Sequence, residues 1–399
     1  MRNKLLLLIS IVLFYLLLFS MEAWFLAYIP TWVTGVIEIG LIWLMLYYKN
    51  RYYENNVQTE IRIIVICLAI AIFWNHMSSW GTTISSVFSA IIMCVLLQFS
   101  EEDRVIILKR NTMWFSILLT ISITAWLIHI FYSPLKSYGP VYRAGEFYLL
   151  NHNYLYFTEL ISDPDRFKSV FLEPGHVSMI ATFFVAANRF DFRNIFVLLI
   201  SLCIIPTFGL AGYVLFIIGY ALYSIENNRI KTVLKRAVPV VTLAYCAFMF
   251  FQEYNGGNNL FNDLIVNRLE YDEEKGVVGN DRASIHFETA FDTAVKNGEI
   301  LIGISEREFK SIYDSGGVGS GAIVYMLQHG IIGSFFLLFS YFLISKKSKY
   351  KRWAFFMFLI YAISFLQRGL FLWAAYYIPF ICSLAVPPVG DRKETETVE

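Results

Sequence analysis

The residue types able to do chemistry gather in the stretch "RFKSVFLEPGHVSM", residues 166 to 179, which sets Arg166, Lys168, Glu173 and His176 at the entrance to an apolar run. Proline is welcome in the first helical turn, because its missing N–H would lack a helical partner there in any case. Pro174 therefore predicts a helix start, with Glu173 at the N-cap and His176 three residues on, along the same side. The positive end of the helix dipole stabilises a carboxylate and disfavours an imidazolium. An ionised glutamate and a neutral histidine are both general bases by type, and the residues alone do not choose between them. The plainer reading of the same letters is an ordinary cap beside an interfacial histidine.

The elements that must position these groups are announced by composition. Of 399 residues, 57% are hydrophobic and 16% charged, with a mean hydropathy of +0.56. A soluble chain carries about a quarter of its residues as charges, so a soluble globular domain is excluded and an all-α integral membrane protein is expected. The net charge of +1 gives no basis for a nucleic-acid partner. Apolar runs predict about twelve membrane helices, and no fewer than about ten. They fall at roughly 5–27, 31–48, 61–75, 80–99, 113–132, 170–187, 194–207, 209–225, 237–251, 320–344, 353–366 and 369–386. The pairs at 194–225 and 353–386 are short and closely joined, so tilted or re-entrant segments fit there too. A charge at the bilayer centre costs about 2.5 to 3.5 kcal/mol. Glu173 and His176 at a helix mouth avoid that cost.

Most of the 32 basic residues, among them Arg2, Lys49, Arg104, Lys109, Arg189, Lys235 and the run Lys346 to Arg352, lie on one set of alternating loops. By the positive-inside rule this places both termini in the cytoplasm. The first span reads as a retained anchor, since no small-x-small cleavage site follows it. Residues 1–386 form one polytopic membrane domain, and 387–399 form a polar, disordered cytoplasmic tail. The remaining cations collect in two long outer loops, about 133–169 and 252–319, where function should be sought. Within the second, "NDRASIHFETAFDTAVKNG" predicts a short amphipathic helix, with Asp281 as N-cap and Gly298 as its stop. Its apolar face is Phe287, Ala290, Phe291 and Ala294, and Arg282 falls in its first turn, where a solvated loop charge is the plainer reading. The aromatic residues Tyr138, Tyr142, Phe147, Tyr148, Tyr154, Tyr156 and Phe157 read as an interfacial belt. Glu38, midway along the second span, is expected to face the bundle interior with a hydrogen-bond partner. All five cysteines fall inside spans, so no disulfide framework is expected.

With both stretches in view, the chain resembles the O-antigen polymerase (Wzy-type) family, part of a wider group that includes the O-antigen ligases. "RFKSVFLEPGHVSM" is similar to that family's Arg-x-x-x-hydrophobic-x-Glu-Pro-Gly segment. "NDRASIHFETAFDTAVKNGEILIGIS" is similar to its outer-loop motif, in which an arginine opens a helix and an apolar-Gly-x-Ser/Gly turn follows. "LQHGIIGSFFLLF" and "FLQRGLFLW" resemble the start of the next span and an element near the C-terminus. One departure separates the two activities. The ligases carry a catalytic histidine followed by asparagine just before the span equivalent to 320–344, and here that region reads "SGGVGSGAIVYML" without a histidine.

The resemblance implies a GT-C-like fold with periplasmic loops and a glycosyltransferase of the bacterial inner membrane. Its reaction would join undecaprenyl-pyrophosphate-linked repeat units into O-antigen or a related surface polysaccharide of lipopolysaccharide biosynthesis. An acceptor hydroxyl attacks the anomeric carbon, and the lipid pyrophosphate leaves. Such a reaction asks for a base, here Glu173 and His176 jointly, and for cations on the departing diphosphate. A guanidinium fork pairs with phosphate oxygens two at a time, which nominates Arg282 first, then Arg166, with Arg143 and Arg368 as weaker supports. "SDPDRF" holds Asp163 and Asp165 at the spacing that many glycosyltransferases use for a divalent ion. Asp and Pro also make turns, and with arginines supplying countercharge the turn is preferred; no metal or cofactor is expected. Partners implied are membrane lipids, the lipid-linked glycans and a chain-length regulator. The rival readings are an O-antigen ligase acting on lipid A core, and a polysaccharide flippase, which would want more ionisable groups along the bundle interior.

Overall fold

The computed structural model describes residues 1–26, 28–53, 59–74, 80–132, 135–137, 140–141, 151–160, 166–171, 173–227, 249–250, 253–257, 259, 262, 271–272, 276–277, 285–314 and 321–388. Among them the helices are α1 (Arg2–Ser20), α2 (Thr31–Tyr52), α3 (Thr59–Phe73), α4 (Trp80–Leu96), α5 (Glu101–Phe131), α6 (Pro174–Ala187), α7 (Ile195–Ile204), α8 (Leu210–Glu226), α9 (Ile285–Asn297), α10 (Glu306–Asp314), α11 (Gly321–Ser345), α12 (Lys351–Phe365) and α13 (Ala374–Ser383). Short strands β1 (Pro140–Val141), β2 (Asn151–Asn153) and β3 (Thr158–Leu160) form one antiparallel sheet, and β4 (Tyr271–Asp272) pairs with β5 (Gly276–Val277). Four of the described helices, α1, α2, α5 and α11, are long and apolar enough to cross a membrane, and several shorter apolar helices accompany them. The protein is thus an all-α, membrane-embedded bundle.

Every expected apolar segment carries a helix except 237–251, of which only 249–250 are described. Several boundaries differ from the hydropathy reading, and α1 ends at Ser20 instead of near 27. α5 begins at Glu101 instead of near 113, because the Ser100 hydroxyl accepts from the Asp103 N–H and Glu101, Glu102 and Asp103 sit at the positive end of the helix. α6 begins at Pro174, four residues late, and α13 spans only ten residues of the 369–386 run.

α6 is the axis of the bundle. Every residue from Gly175 to Ala187 is buried, as expected of a helix that is apolar all round. It packs on α7, α8 and α13, while Phe184 stacks on Phe115 of α5 at 5.1 Å and Phe183 on Tyr361 of α12 at 4.2 Å. Its crossing with α8 is close. The Thr182 hydroxyl donates to the Gly212 carbonyl at 3.2 Å, and a Cβ on Gly212 would lie 2.4 Å from the Cβ of Ser178. Gly212→Leu is therefore expected to wedge the two helices apart and cost about 1 to 3 kcal/mol. Thermal unfolding in detergent measures it, and an unchanged midpoint would contradict the close crossing.

Polar contacts sort to the two ends of the bundle. At one end Arg2 pairs with Asp103 at 2.9 Å, Tyr48 donates to Asp103 at 2.8 Å, and Lys347 and Lys349 meet Glu60 and Glu101. Arg189 at the same end pairs with Glu226 at 2.8 Å, donates to the Val386 carbonyl, and lies 5.1 Å from the ring centres of Tyr350 and Trp353. At the other end the Trp24 N–H donates to the Val170 carbonyl at 2.9 Å, and the Ala375 N–H to the Ser20 hydroxyl at 3.1 Å. Inside the bundle Glu38 is 6% exposed and accepts from Ser85 at 3.4 Å.

α9 and the β2–β3 turn are seated at this second end. α9 stops at Gly298, whose φ of 76° suits glycine. Its predicted apolar face lies on the bundle: Phe287 and Ala294 are buried with Ile300, Ile304, Phe309 and Leu327. Asp281 lies outside the described residues. α10 has no counterpart in the sequence reading. The Ile304 N–H donates to the Leu327 carbonyl at 2.9 Å, just where α11 is interrupted at Gly330, with φ 67° and ψ 179°. A Cβ on Gly330 would meet the Leu301 carbonyl oxygen at 2.4 Å, so the loop and the break fit only through glycine.

The belt reading needs correction at two residues. Tyr154 and Phe157 are 7% and 0% exposed, stack at 4.3 Å, and pack on His129 at the end of α5. The β2–β3 turn folds them over the bundle and away from its surface. The Tyr154 phenol is pushed up to about 12 by burial and then by its hydrogen bond to Glu159. Tyr156 is exposed as a belt residue would be, and Tyr138, Tyr142, Phe147 and Tyr148 lie outside the described residues. Cys67, Cys94, Cys203 and Cys382 are buried free thiols; Cys246 is outside the described residues.

Candidate functional site

Glu173 holds an extended backbone, with φ −128° and ψ 133°, and Pro174 opens the helix directly after it. The carboxylate occupies the N-cap position without capping. It turns away from the helix amides to Arg368, which donates to it. Either contact would be charge-assisted on the carboxylate side; the guanidinium adds a full countercharge that an amide N–H lacks. The same guanidinium donates through its other terminal nitrogen to Nε2 of His176. One arginine therefore joins both candidate bases at the mouth of a helix buried from Gly175 to Ala187.

Arginine has donors only. A histidine that accepts from it on Nε2 must be neutral, with its proton on Nδ1. His176 is 5% exposed, and the Trp373 ring meets it edge-on at 5.5 Å. The Arg368 and Glu173 side chains are 15% and 40% exposed, so the carboxylate is the part of the cluster most open to an arriving molecule.

Arg368 is presented by the turn between α12 and α13. Its N–H donates to the Ser364 carbonyl at 2.9 Å, and the Gln367 carbonyl accepts from the first N–H of α11, that of Gly321, at 2.9 Å. The approach is tight enough to need glycine: a Cβ on Gly321 would lie 2.2 Å from the Arg368 Cα. Gly321→Ala must therefore shift the Arg368 backbone. If Arg368 serves a reaction, a misplacement of about 1 Å costs up to 10²-fold in rate, and a loss of that order at normal protein level is then the expected result. Full activity in Gly321→Ala would show that the position of Arg368 does not matter.

The other nominated arginines fare differently. Arg166 donates to the Thr207 carbonyl at 3.1 Å and to the Phe208 carbonyl at 3.2 Å, beside a Phe167 N–H bond to the Pro206 carbonyl at 2.9 Å. It ties the stretch before α6 to the α7–α8 turn, where Phe208 is left-handed at φ 47°. That is a cation on carbonyls at a helix C-terminus, a favourable place for it. Arg143 and Arg282 lie outside the described residues, as do Asp163 and Asp165. The structure thus brings Glu173, His176 and Arg368 together and sets Arg166 on a neighbouring turn.

No protein-family model, curated protein or solved structure matches this chain. The site is therefore read from its own chemistry. It offers two proton acceptors of different type, both held by one guanidinium at the end of the bundle remote from the Arg2–Asp103 and Arg189–Glu226 pairs. An anion that takes over the guanidinium leaves both acceptors without their donor. In sequence the signal for Arg368 was its isolation, the one charge in the apolar stretch "FLQRGLFLW". Spacing could not connect it to Glu173, 195 positions away.

Proposed function

We propose that the protein is a membrane glycosyltransferase that polymerises undecaprenyl-pyrophosphate-linked repeat units into O-antigen or a related surface polysaccharide. The observation that carries this reading is the Arg368 guanidinium shared by the Glu173 carboxylate and the His176 imidazole. In the same reading the chain has about twelve spans of GT-C-like arrangement. Its lysine- and arginine-rich end faces the cytoplasm, and the Glu173 end faces the periplasm of a bacterial inner membrane. A chain-length regulator is the partner that the family resemblance implies.

The resting cluster is a set of masked bases. When the lipid diphosphate arrives, its oxygens compete for the Arg368 fork and offer two charged acceptors where the protein offers one carboxylate and one neutral nitrogen. Glu173 and His176 are then released to accept a proton. The acceptor hydroxyl attacks the anomeric carbon, the bond from that carbon to the diphosphate oxygen breaks, and the electron pair leaves with the diphosphate. The hydroxyl proton passes to the base, while Arg368 stabilises the charge growing on the leaving oxygen. Binding of the diphosphate thereby unmasks the base only when a donor is in place.

The test is complementation of a strain lacking the activity, read as the lipopolysaccharide ladder on a gel. Loss of polymerase gives core plus one repeat, and loss of a ligase gives core alone. The reading requires core plus one repeat from variants of Glu173 and Arg368. Core alone would assign the chain to the ligases, and a full ladder would remove the site.

A further inference from the structure

Next to the Arg368 turn lies a cavity of about 260 Å³ that the mechanism does not use. Its walls are α3, α4, α11 and the 369–373 segment, and its chemistry is mixed. Tyr325 and Trp373 offer flat aromatic surface, while Thr83, Ser86, Gln328 and His329 bring polar atoms. The His329 ring lies 4.5 Å from that of Tyr325, and its Nδ1 is 3.1 Å from the Trp74 carbonyl, which fixes its orientation. Gly333 makes room for it, since a Cβ there would meet the His329 Cβ at 2.6 Å. Trp373 is shared with the site, for its ring also meets His176.

A second cavity of about 240 Å³ runs between α3 and α4 and is lined wholly by apolar side chains and Cys94. It extends from Ile72 and Phe73 to Val65 along α3 and from Val87 to Val95 along α4, about 12 Å of helix on each side. Val65, Phe73 and Ile91 are exposed on the outside of the bundle, so the groove is open laterally. Ile72 lines both cavities.

We infer that the two cavities form one site for a single amphiphile, a glycolipid whose sugar ring sits in the polar cavity and whose alkyl chain lies in the α3–α4 groove. An alkyl chain in the polar part would set Gln328, Thr83 and Ser86 against hydrocarbon. A phosphate there would find no lysine or arginine among the lining residues. A sugar ring has both a C–H face for the aromatics and hydroxyls for the polar atoms. Ligand pockets usually measure about 300 to 1,000 Å³, so this one takes one ring and not a whole repeat unit. The assignment stands apart from the glycosyltransferase reading, whose lipid diphosphate this cavity has no cation among its lining residues to hold: its occupant is a phosphate-free glycolipid, seated beside the Arg368 turn at Gly369 and Trp373.

The probe is a decyl glucoside carrying a diazirine at the chain end, irradiated with the full-length protein in lipid nanodiscs and mapped by mass spectrometry. Labelling is expected within 65–73 and 87–95, suppressed by excess octyl glucoside but not by decanol. Ala90→Trp, which fills the groove, should reduce it at least fivefold, as should Ile91→Trp at an exposed position that tolerates the larger ring. Ser86→Trp should remove the preference for the glucoside over decanol. Label spread over the outer surface, insensitive to these variants or equally displaced by decanol, would overturn the site. Labelling needs no turnover, so the two readings fail separately. Site-specific labelling in a protein whose Arg368 variants keep a full ladder sinks only the glycosyltransferase; scattered label with an Arg368-dependent ladder sinks only the amphiphile site.

Discussion

On the proposed polymerase reading, Arg368→Lys is expected to leave core plus one repeat in a complementation assay where the unaltered chain should give a full ladder. Lysine keeps the positive charge but lacks the fork, so one ammonium cannot hold Glu173 and His176 apart in the observed geometry, nor pair with a diphosphate in bidentate fashion. Loss of one electrostatic donor at a reacting centre typically costs about 10² to 10³ in rate, enough to erase a polymer ladder. The fold should survive, because Glu173 is 40% exposed and is not stranded as a buried charge. Equal protein level on a blot, with the ladder lost, is the expected pair of results. A full-length ladder from Arg368→Lys would mean that charge alone suffices and that the two-pronged contact is incidental.

Glu173→Gln and His176→Gln are each expected to lose about 10² to 10⁴ in polymerisation, the usual range for a general base, and the double variant should lose no more than the worse single. Residues that act as a unit are strongly non-additive. Both accept from one guanidinium, so removing either leaves the other over-held by Arg368. Glutamine at 173 keeps the shape and an acceptor oxygen but cannot take the proton. In vitro polymerisation with a lipid-linked repeat unit measures the three rates. Losses that multiply would show two independent contributions, and a silent His176→Gln would leave Glu173 alone as base.

The sequence reading went furthest where one segment carried the whole signal. Glu-Pro-Gly before an uninterrupted apolar run announced the start of α6 and the place of Glu173 and His176, and a 3.6-residue period with a terminal glycine announced α9. It failed where contacts span the chain. Arg166 shares the motif with Glu173, yet the backbone carbonyls of Thr207 and Phe208 accept from it. Arg368 reaches Glu173 only because α11 begins with a glycine against which the 364–369 turn can lie. Hydropathy also cannot tell a spanning helix from a short tilted or re-entrant one, which is why the reading of 194–225 and 353–386 stays open between them; α7 and α13 have ten residues each. α10 escaped because nine largely charged residues give no apolar run. Gly330 marks a helix break only against Leu301, a partner that no local pattern reveals.

The proposed reaction requires Arg368 to exchange protein acceptors for phosphate oxygens. An experimental structure of the full-length protein in nanodiscs, solved with and without farnesyl diphosphate, tests that exchange directly. Bound diphosphate is predicted to lie on the Arg368 fork, with the guanidinium drawn off His176 Nε2 and the Glu173 carboxylate. Diphosphate bound elsewhere, with Arg368 still joined to both side chains, would contradict the account.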